Sequence, residues 1–193
     1  MKIRLGGGVV LIENEYKILI SAEKYLELLE YLDWDGEIIQ VNYYYDTDHL
    51  LLAKQDKTLR VRAFGDTLLL QMKEPMETKI EGLSKKRETE IRVAEIPLKI
   101  DSDFLHKRGF NNISDNLEFY MLGKLETRRC LKQIGDIEIA LDKNDYMNIV
   151  DFEVEVEYKG DDKAARALLK ELDLTPQKVS TGKRGRFLRQ YML

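Results

Sequence analysis

Charged and apolar residues alternate with period two in several separated stretches of the chain. Between Ile12 and Ile20 the charges fall at Glu13, Glu15 and Lys17, while Tyr16, Ile18 and Ile20 occupy the other phase. In an extended strand successive side chains point to opposite faces, so this pattern predicts one charged and one apolar face. Asp151-Phe-Glu-Val-Glu-Val-Glu157 repeats the pattern with an anionic face. Thr58-Leu-Arg-Val-Arg62 gives a basic strand, and Leu70-Gln-Met-Lys73 adds a lysine to another. An open, wetted sheet would mix signs along each strand, whereas here acids and bases segregate by strand. The pattern favours a closed antiparallel barrel with a charged interior.

The intervening elements follow from local signals. Ser21 caps a predicted helix whose Tyr25, Leu28, Leu29 and Leu32 recur at helical spacing. Strands are expected near 37–47, 57–64 and 67–73, the last two joined by a two-residue turn at Gly65-Asp66. A loop over 74–84 then precedes a strand near 85–93. Helical segments are expected around 102–108 and 115–121. Strands near 124–134 and 137–143 turn at Gly135-Asp136, and a strand near 150–159 leads into a helix from about Asp161, with Ala165, Leu168, Leu169 and Leu172 inward.

Composition narrows the function classes. A chain of 193 residues with 44% hydrophobic content suits one globular domain over 1–193, with residues 1–8 as an extension to it. A net charge of −4 conceals 34% charged residues, which argues against nucleic acid as a partner but permits a local cationic pocket. Cys130 is the single cysteine and His49 and His106 the only histidines, so a thiolate or imidazole metal cluster is excluded and a bound metal is expected on oxygen. No apolar run approaches a membrane span, and a cytoplasmic location is the expectation. Gly6-Gly-Gly8 and Thr181-Gly-Lys183 each lack the rest of a phosphate-binding loop.

Taken in order, Glu13-x-Glu15-x-Lys17, Asn42-Tyr-Tyr-Tyr-Asp-Thr47, Arg60-x-Arg62, Lys73, Thr127-Arg-Arg129, Leu141-Asp142, Glu153-x-Glu155 and Lys183-x-x-Arg186 resemble the CYTH-type triphosphate tunnel metalloenzymes. That superfamily includes thiamine triphosphatases, inorganic triphosphatases and class IV adenylate cyclases. Each motif alone is weak, and the ordered set is more specific. The resemblance implies an α+β fold in which a closed antiparallel barrel of about eight strands forms the tunnel, with helices packed outside.

The resemblance further implies metal-dependent hydrolysis of a small triphosphate, whether inorganic triphosphate, thiamine triphosphate or a similar organic one. Several packed phosphate charges call for multiple lysine and arginine donors, and Lys17, Arg60, Arg62, Lys73, Arg129, Lys183 and Arg186 are the substrate-binding candidates. Carboxylates facing the same anion need neutralising, which points to Mg²⁺ or Mn²⁺ on Glu13, Glu15, Asp142, Glu153 and Glu155. Lys17 and Glu90 are the catalytic candidates, with Glu88 as the alternative to Glu90. Arg128, out of phase with Arg129, is expected to point outward.

Two features depart from the family. Asn14 stands where an apolar residue is more typical, and Gly8-Val-Val-Leu-Ile12 replaces the His-Phe pair seen upstream of the glutamates in class IV cyclases. Adenylate cyclase is therefore the alternative activity, followed by non-catalytic binding of polyphosphate. The oligomeric state, homodimer included, is left open by the sequence.

Overall fold

The computed structural model describes residues 2–5, 8–11, 14–75, 86–175 and 181–193. Eleven strands and five helices follow along the described residues. They are β1 (Lys2–Leu5), β2 (Gly8–Leu11), β3 (Asn14–Ile20), α1 (Ala22–Tyr31), β4 (Gly36–Asp46), α2 (Leu51–Lys54), β5 (Thr58–Phe64), β6 (Thr67–Pro75), β7 (Lys86–Arg92) and β8 (Lys99–Asp101). There follow α3 (Ser102–His106), β9 (Glu118–Ile134), β10 (Ile137–Tyr146), β11 (Ile149–Tyr158), α4 (Lys163–Glu171) and α5 (Lys183–Tyr191). Two compact units result, one of residues 1–12 and 41–124, the other of residues 13–40 and 125–193. Strands β4 and β9 each give residues to both.

In the first unit the strand order is β1-β2-β7-β6-β5-β4, antiparallel from β1 to β5, and β8 pairs antiparallel with the start of β9. Leu59, Val61, Leu70 and Met72 lie on the apolar face of β5 and β6. They are buried with Leu52 of α2, Leu105 of α3 and Phe119 of β9. In the second unit the order is β9-β10-β11-β3. Its apolar face carries Ile18, Ile139, Leu141, Val154 and Val156 under α1 and α4, which supply Tyr25, Leu28, Ala165, Leu168 and Leu169. At roughly 25 cal/mol per Å² of apolar area, these faces hold the helices to the strands and leave the opposite faces to carry charge.

The α+β class, the antiparallel pairing and the packing of helices on the apolar faces match the expectation. Among the described residues β3 pairs with β11 alone. Ser21 caps α1, its hydroxyl accepting from the Lys24 amide at 3.2 Å. Gly65 and Gly135 adopt φ of 50° and 58° in the two expected hairpin turns, a region open to glycine at no steric cost. A third hairpin joins β10 to β11 through Met147 and Asn148, both at positive φ (47° and 64°).

Three expectations are corrected. Residues 118–121 extend β9 rather than forming a helix over 115–121, because Phe119 pairs with Ile100 of β8 and is fully buried. Glu74 and Pro75 belong to β6, paired with Arg87 and Lys86, and the rest of the loop expected there lies outside the described residues. Strand β10 continues to Tyr146, beyond the expected end near 143.

Candidate functional site

In the second unit, register lines up the charged residues in rows. Arg129, Asp142 and Glu153 are direct partners across β9, β10 and β11, and Glu155 opposes Lys17 of β3 one row on. The N-terminal turn of α5 adds Lys183 and Arg186, which helical spacing places on one side. The Lys183 ammonium lies 2.6 Å from a carboxylate oxygen of each of Asp142, Glu153 and Glu155. Arg129 donates through Nε and Nη2 to both oxygens of Asp142, at 2.7 and 2.6 Å, and through Nη2 also to Glu155. Arg186 grips Asp151 through Nε and Nη2, at 2.7 and 3.1 Å, and donates to Glu153 at 2.6 Å. Lys17 donates to Glu15 at 2.6 Å and lies 3.8 Å from Glu155.

Asp142 and Glu153 are fully buried, so unpaired charges there would be severely destabilised. Burial alone would raise the Glu155 carboxyl, but Lys183, Arg129 and Lys17 together hold it well below the usual carboxylate range. At Glu153 burial prevails over Lys183 and Arg186, and the adjacent Glu155 charge adds to the upward shift. Lys183 is desolvated, yet Glu155, Asp142 and Glu153 raise it above the ordinary lysine value. For Asp151, burial is outweighed by hydrogen bonds from Arg186, Tyr146 and Asn144, and the carboxyl is lowered. Neighbouring cations thus answer the surplus of carboxylates noted in the sequence.

Asp142, Glu153 and Glu155 offer oxygen atoms within 4.8 Å of one another. Three carboxylates suit a hard divalent cation such as Mg²⁺ or Mn²⁺, so the donor set fits the implied metal. Because Lys183 contacts all three, a divalent ion shared by them has to displace its ammonium.

The first unit carries a basic counterpart on β5, β6 and β7. Thr58, Lys73 and Glu88 form one cross-strand row, and Arg60, Gln71 and Glu90 the next. Lys73 lies 3.3 Å from the buried Glu88 carboxylate and Arg60 Nη2 lies 3.8 Å from it. Arg60 donates through Nε to Gln71 at 2.9 Å. Its Nη2 is buried with no hydrogen-bond partner among the described residues, so a charged donor is desolvated with only the more distant Glu88 carboxylate to offset it. Arg62 donates through Nε to Asn42 at 3.1 Å.

The expected residues therefore fall into two sets. Arg60, Arg62, Lys73 and Glu90 share one strand face of the first unit, while Glu15, Lys17, Arg129, Asp142, Glu153, Glu155, Lys183 and Arg186 lie together in the second. Glu13 lies outside the described residues. Glu88 is buried against Lys73, while Glu90 is exposed and accepts from Gln71. Arg128 points outward toward Glu37, as its phase required. Sequence reasoning passed over Asp151, although it starts the anionic strand phase, and Gln71, which has no charge to mark it. Asp46 proves structural, its carboxylate accepting from the amides of Thr47, Leu52 and Ala53 at 2.8 to 2.9 Å.

The CYTH domain profile matches residues 11–184, taking in parts of both units. A Bacillus halodurans protein provisionally described as an adenylate cyclase has a TM-score of 0.72 and 25% identity, covering 94% of this chain and 99% of its own. A Hippeastrum protein provisionally described as an adenylyl cyclase, and reported to have a dominant triphosphatase activity, has a TM-score of 0.68 and 22% identity over 92% of this chain and 95% of its own. The PH1012 protein of Pyrococcus horikoshii shares the fold at a TM-score of 0.58 and 18% identity, over 91% of this chain and 98% of its own. No curated protein matches. No helix among the described residues is long and apolar enough to cross a membrane.

Proposed function

The chain belongs to the CYTH family, and we propose that it is a metal-dependent hydrolase of a small triphosphate, acting at a phosphoanhydride bond. The observation that carries this reading is Arg60. Its buried Nη2 lacks a hydrogen-bond acceptor among the described residues, and a phosphoryl oxygen is the kind of acceptor that a guanidinium fork fits best. Arg62 and Lys73 are assigned to the same anion by their shared face with Arg60. Lys17, Arg129, Lys183 and Arg186 are assigned to phosphate as well, and Glu13, Glu15, Asp142, Glu153 and Glu155 to Mg²⁺ or Mn²⁺. A divalent cation held there supplies neutralisation of charge developing on the phosphate oxygens.

The chain's own groups supply the remainder. Cationic side chains fix the phosphates in line, which converts attack by water into an effectively unimolecular step. Lys17, held by Glu15, keeps its proton, since Glu155 and Glu15 overcome the effect of burial and raise its value. It therefore serves as a charge on phosphate rather than as a base. Glu90 is assigned to orienting the attacking water, and its exposure leaves it open to solvent. No covalent nucleophile is required.

The same fold carries a dominant triphosphatase activity in the Hippeastrum protein. The adenylate cyclase description of the Bacillus halodurans protein favours the second reading, cyclisation of ATP. A cyclase must bring the ribose 3′ hydroxyl in line with the α-phosphorus, whereas a triphosphatase positions water at the terminal phosphate. Inorganic triphosphate, thiamine triphosphate, ATP and pyrophosphate are each incubated with Mg²⁺ or Mn²⁺ and the products resolved. Orthophosphate from a triphosphate is expected. Cyclic AMP and pyrophosphate as the main products from ATP would replace hydrolysis with cyclisation.

A further inference from the structure

Gln71 sits at the centre of a straight row across three strands, directly opposite Arg60 of β5 on one side and Glu90 of β7 on the other. Both ends of its amide are used. Oε1 accepts from Arg60 Nε at 2.9 Å and Nε2 donates to Glu90 at 2.9 Å. The side chain is only 4% exposed, so water does not compete freely for these groups. Its orientation is fixed by its neighbours, because a flipped amide would set its NH₂ against a guanidinium N–H and its carbonyl against a carboxylate.

This arrangement has two effects on Arg60. The amide ties the Nε edge of the guanidinium, which leaves the buried Nη2 as a donor without a hydrogen-bond acceptor among the described residues. It also stands between Arg60 and Glu90, two charges that would otherwise face each other across one strand and pair bidentately. A neutral acceptor holds the Nε edge, while Glu88, the carboxylate near Nη2, stands beyond hydrogen-bonding reach at 3.8 Å and is shared with Lys73.

We infer that Gln71 is a positioning residue that keeps Arg60 fixed with its Nη2 hydrogen bond left for a phosphoryl oxygen of the substrate. The inference rests on the triphosphate reading above. It assigns to an uncharged residue the task of preventing a basic strand from being silenced by the glutamate beside it. Glutamine suits this role better than glutamate of the same shape, since a carboxylate at this position would take the guanidinium as its own partner.

The test compares Gln71→Glu, Gln71→Leu, Arg60→Ala and the double variant Arg60→Ala/Gln71→Leu. Binding of inorganic triphosphate is measured by calorimetry in chelator, with kcat and KM measured in Mg²⁺ and melting temperature recorded throughout. Gln71→Leu is expected to weaken binding about tenfold, the scale of one mispositioned charge-assisted contact. Gln71→Glu should weaken it further; because its carboxylate also faces Glu90, Gln71→Glu/Glu90→Gln is added, which should restore the melting temperature without restoring binding, a divergence that a merely structural role does not produce. Gln71→Leu should have no added effect once Arg60 is alanine. Parent-like binding by Gln71→Glu, or losses that add in the double variant, would overturn the inference. If Arg60→Ala itself binds triphosphate as the parent does, the triphosphate reading fails first, and the two failures are distinguished.

Discussion

Arg186 makes the strongest local case for a residue whose removal should be felt as stability. It holds Asp151 and the fully buried Glu153 at once. Arg186→Ala leaves Glu153 with Lys183 as its remaining cation and Asp151 with none of its own, and should cost about 1–3 kcal/mol, read from the urea midpoint at constant m-value. A change under about 0.5 kcal/mol, the usual range of a surface substitution, would show that Lys183 alone satisfies Glu153. The charged residues of this cluster were legible because period-two alternation exposes them in the sequence. Gln71 was not, since an uncharged partner leaves no mark in a charge pattern. Which glutamate of β7 turns toward lysine was also hidden, because Glu88 and Glu90 share one phase and only register separates them.

Strand β3 and helix α4 are joined by a tyrosine that makes their union dependent on pH. Tyr16 donates to Asp162 at 2.6 Å, and Arg166 donates to the same carboxylate oxygen at 2.6 Å. Desolvation, with the hydrogen bond to Asp162, pushes the Tyr16 hydroxyl up to about 12. An acid whose folded value is raised contributes stability that is complete below its unfolded value near 10 and is lost as pH climbs through the folded value. Stability measured by urea should therefore fall between pH 10 and 12, and the fall should be smaller in Tyr16→Phe. An equal fall in both would show that other groups carry it.

Elements whose apolar spacing was regular, α1 and α4, were readable in advance. Helix α5 was not, because Lys183-Arg-Gly-Arg carries a helix-weakening glycine and four polar or small positions in a row. Its place is fixed instead by tertiary terms, namely the burial of Phe187 and the ion pairs of Lys183 and Arg186. Residues 118–121 misled in the opposite direction. Leu117 and Met121 have helical spacing, but pairing with β8 prevailed.

At the scale of the molecule, activity and folding should respond differently to loss of metal. Turnover is expected to stop in chelator, since the proposed chemistry needs a divalent cation. The melting temperature is expected to stay within a few degrees, because Lys183, Arg129 and Arg186 already neutralise the carboxylates. Turnover that persists in chelator would remove the metal from the mechanism. Melting that collapses in chelator would show that the cations are insufficient. Lys183→Met supplies the complementary case, leaving three clustered carboxylates short of a counter-charge. It should melt below the parent without divalent ions and recover more than the parent when Mn²⁺ is added.

Under the proposed reading, the threefold grip of Lys183 would turn metal loading into a substitution. The protein carries its own monovalent tenant at the carboxylate triad, tethered to a helix and therefore never diluted away. Divalent affinity would then be a difference between two occupants, with its ceiling set by how readily the N-terminal turn of α5 lets its ammonium go. A phosphate anion that draws Lys183 toward itself would weaken the tenant's hold and favour the metal. Substrate and metal would thus raise each other's affinity by the same factor, with no change in the strands that carry the carboxylates.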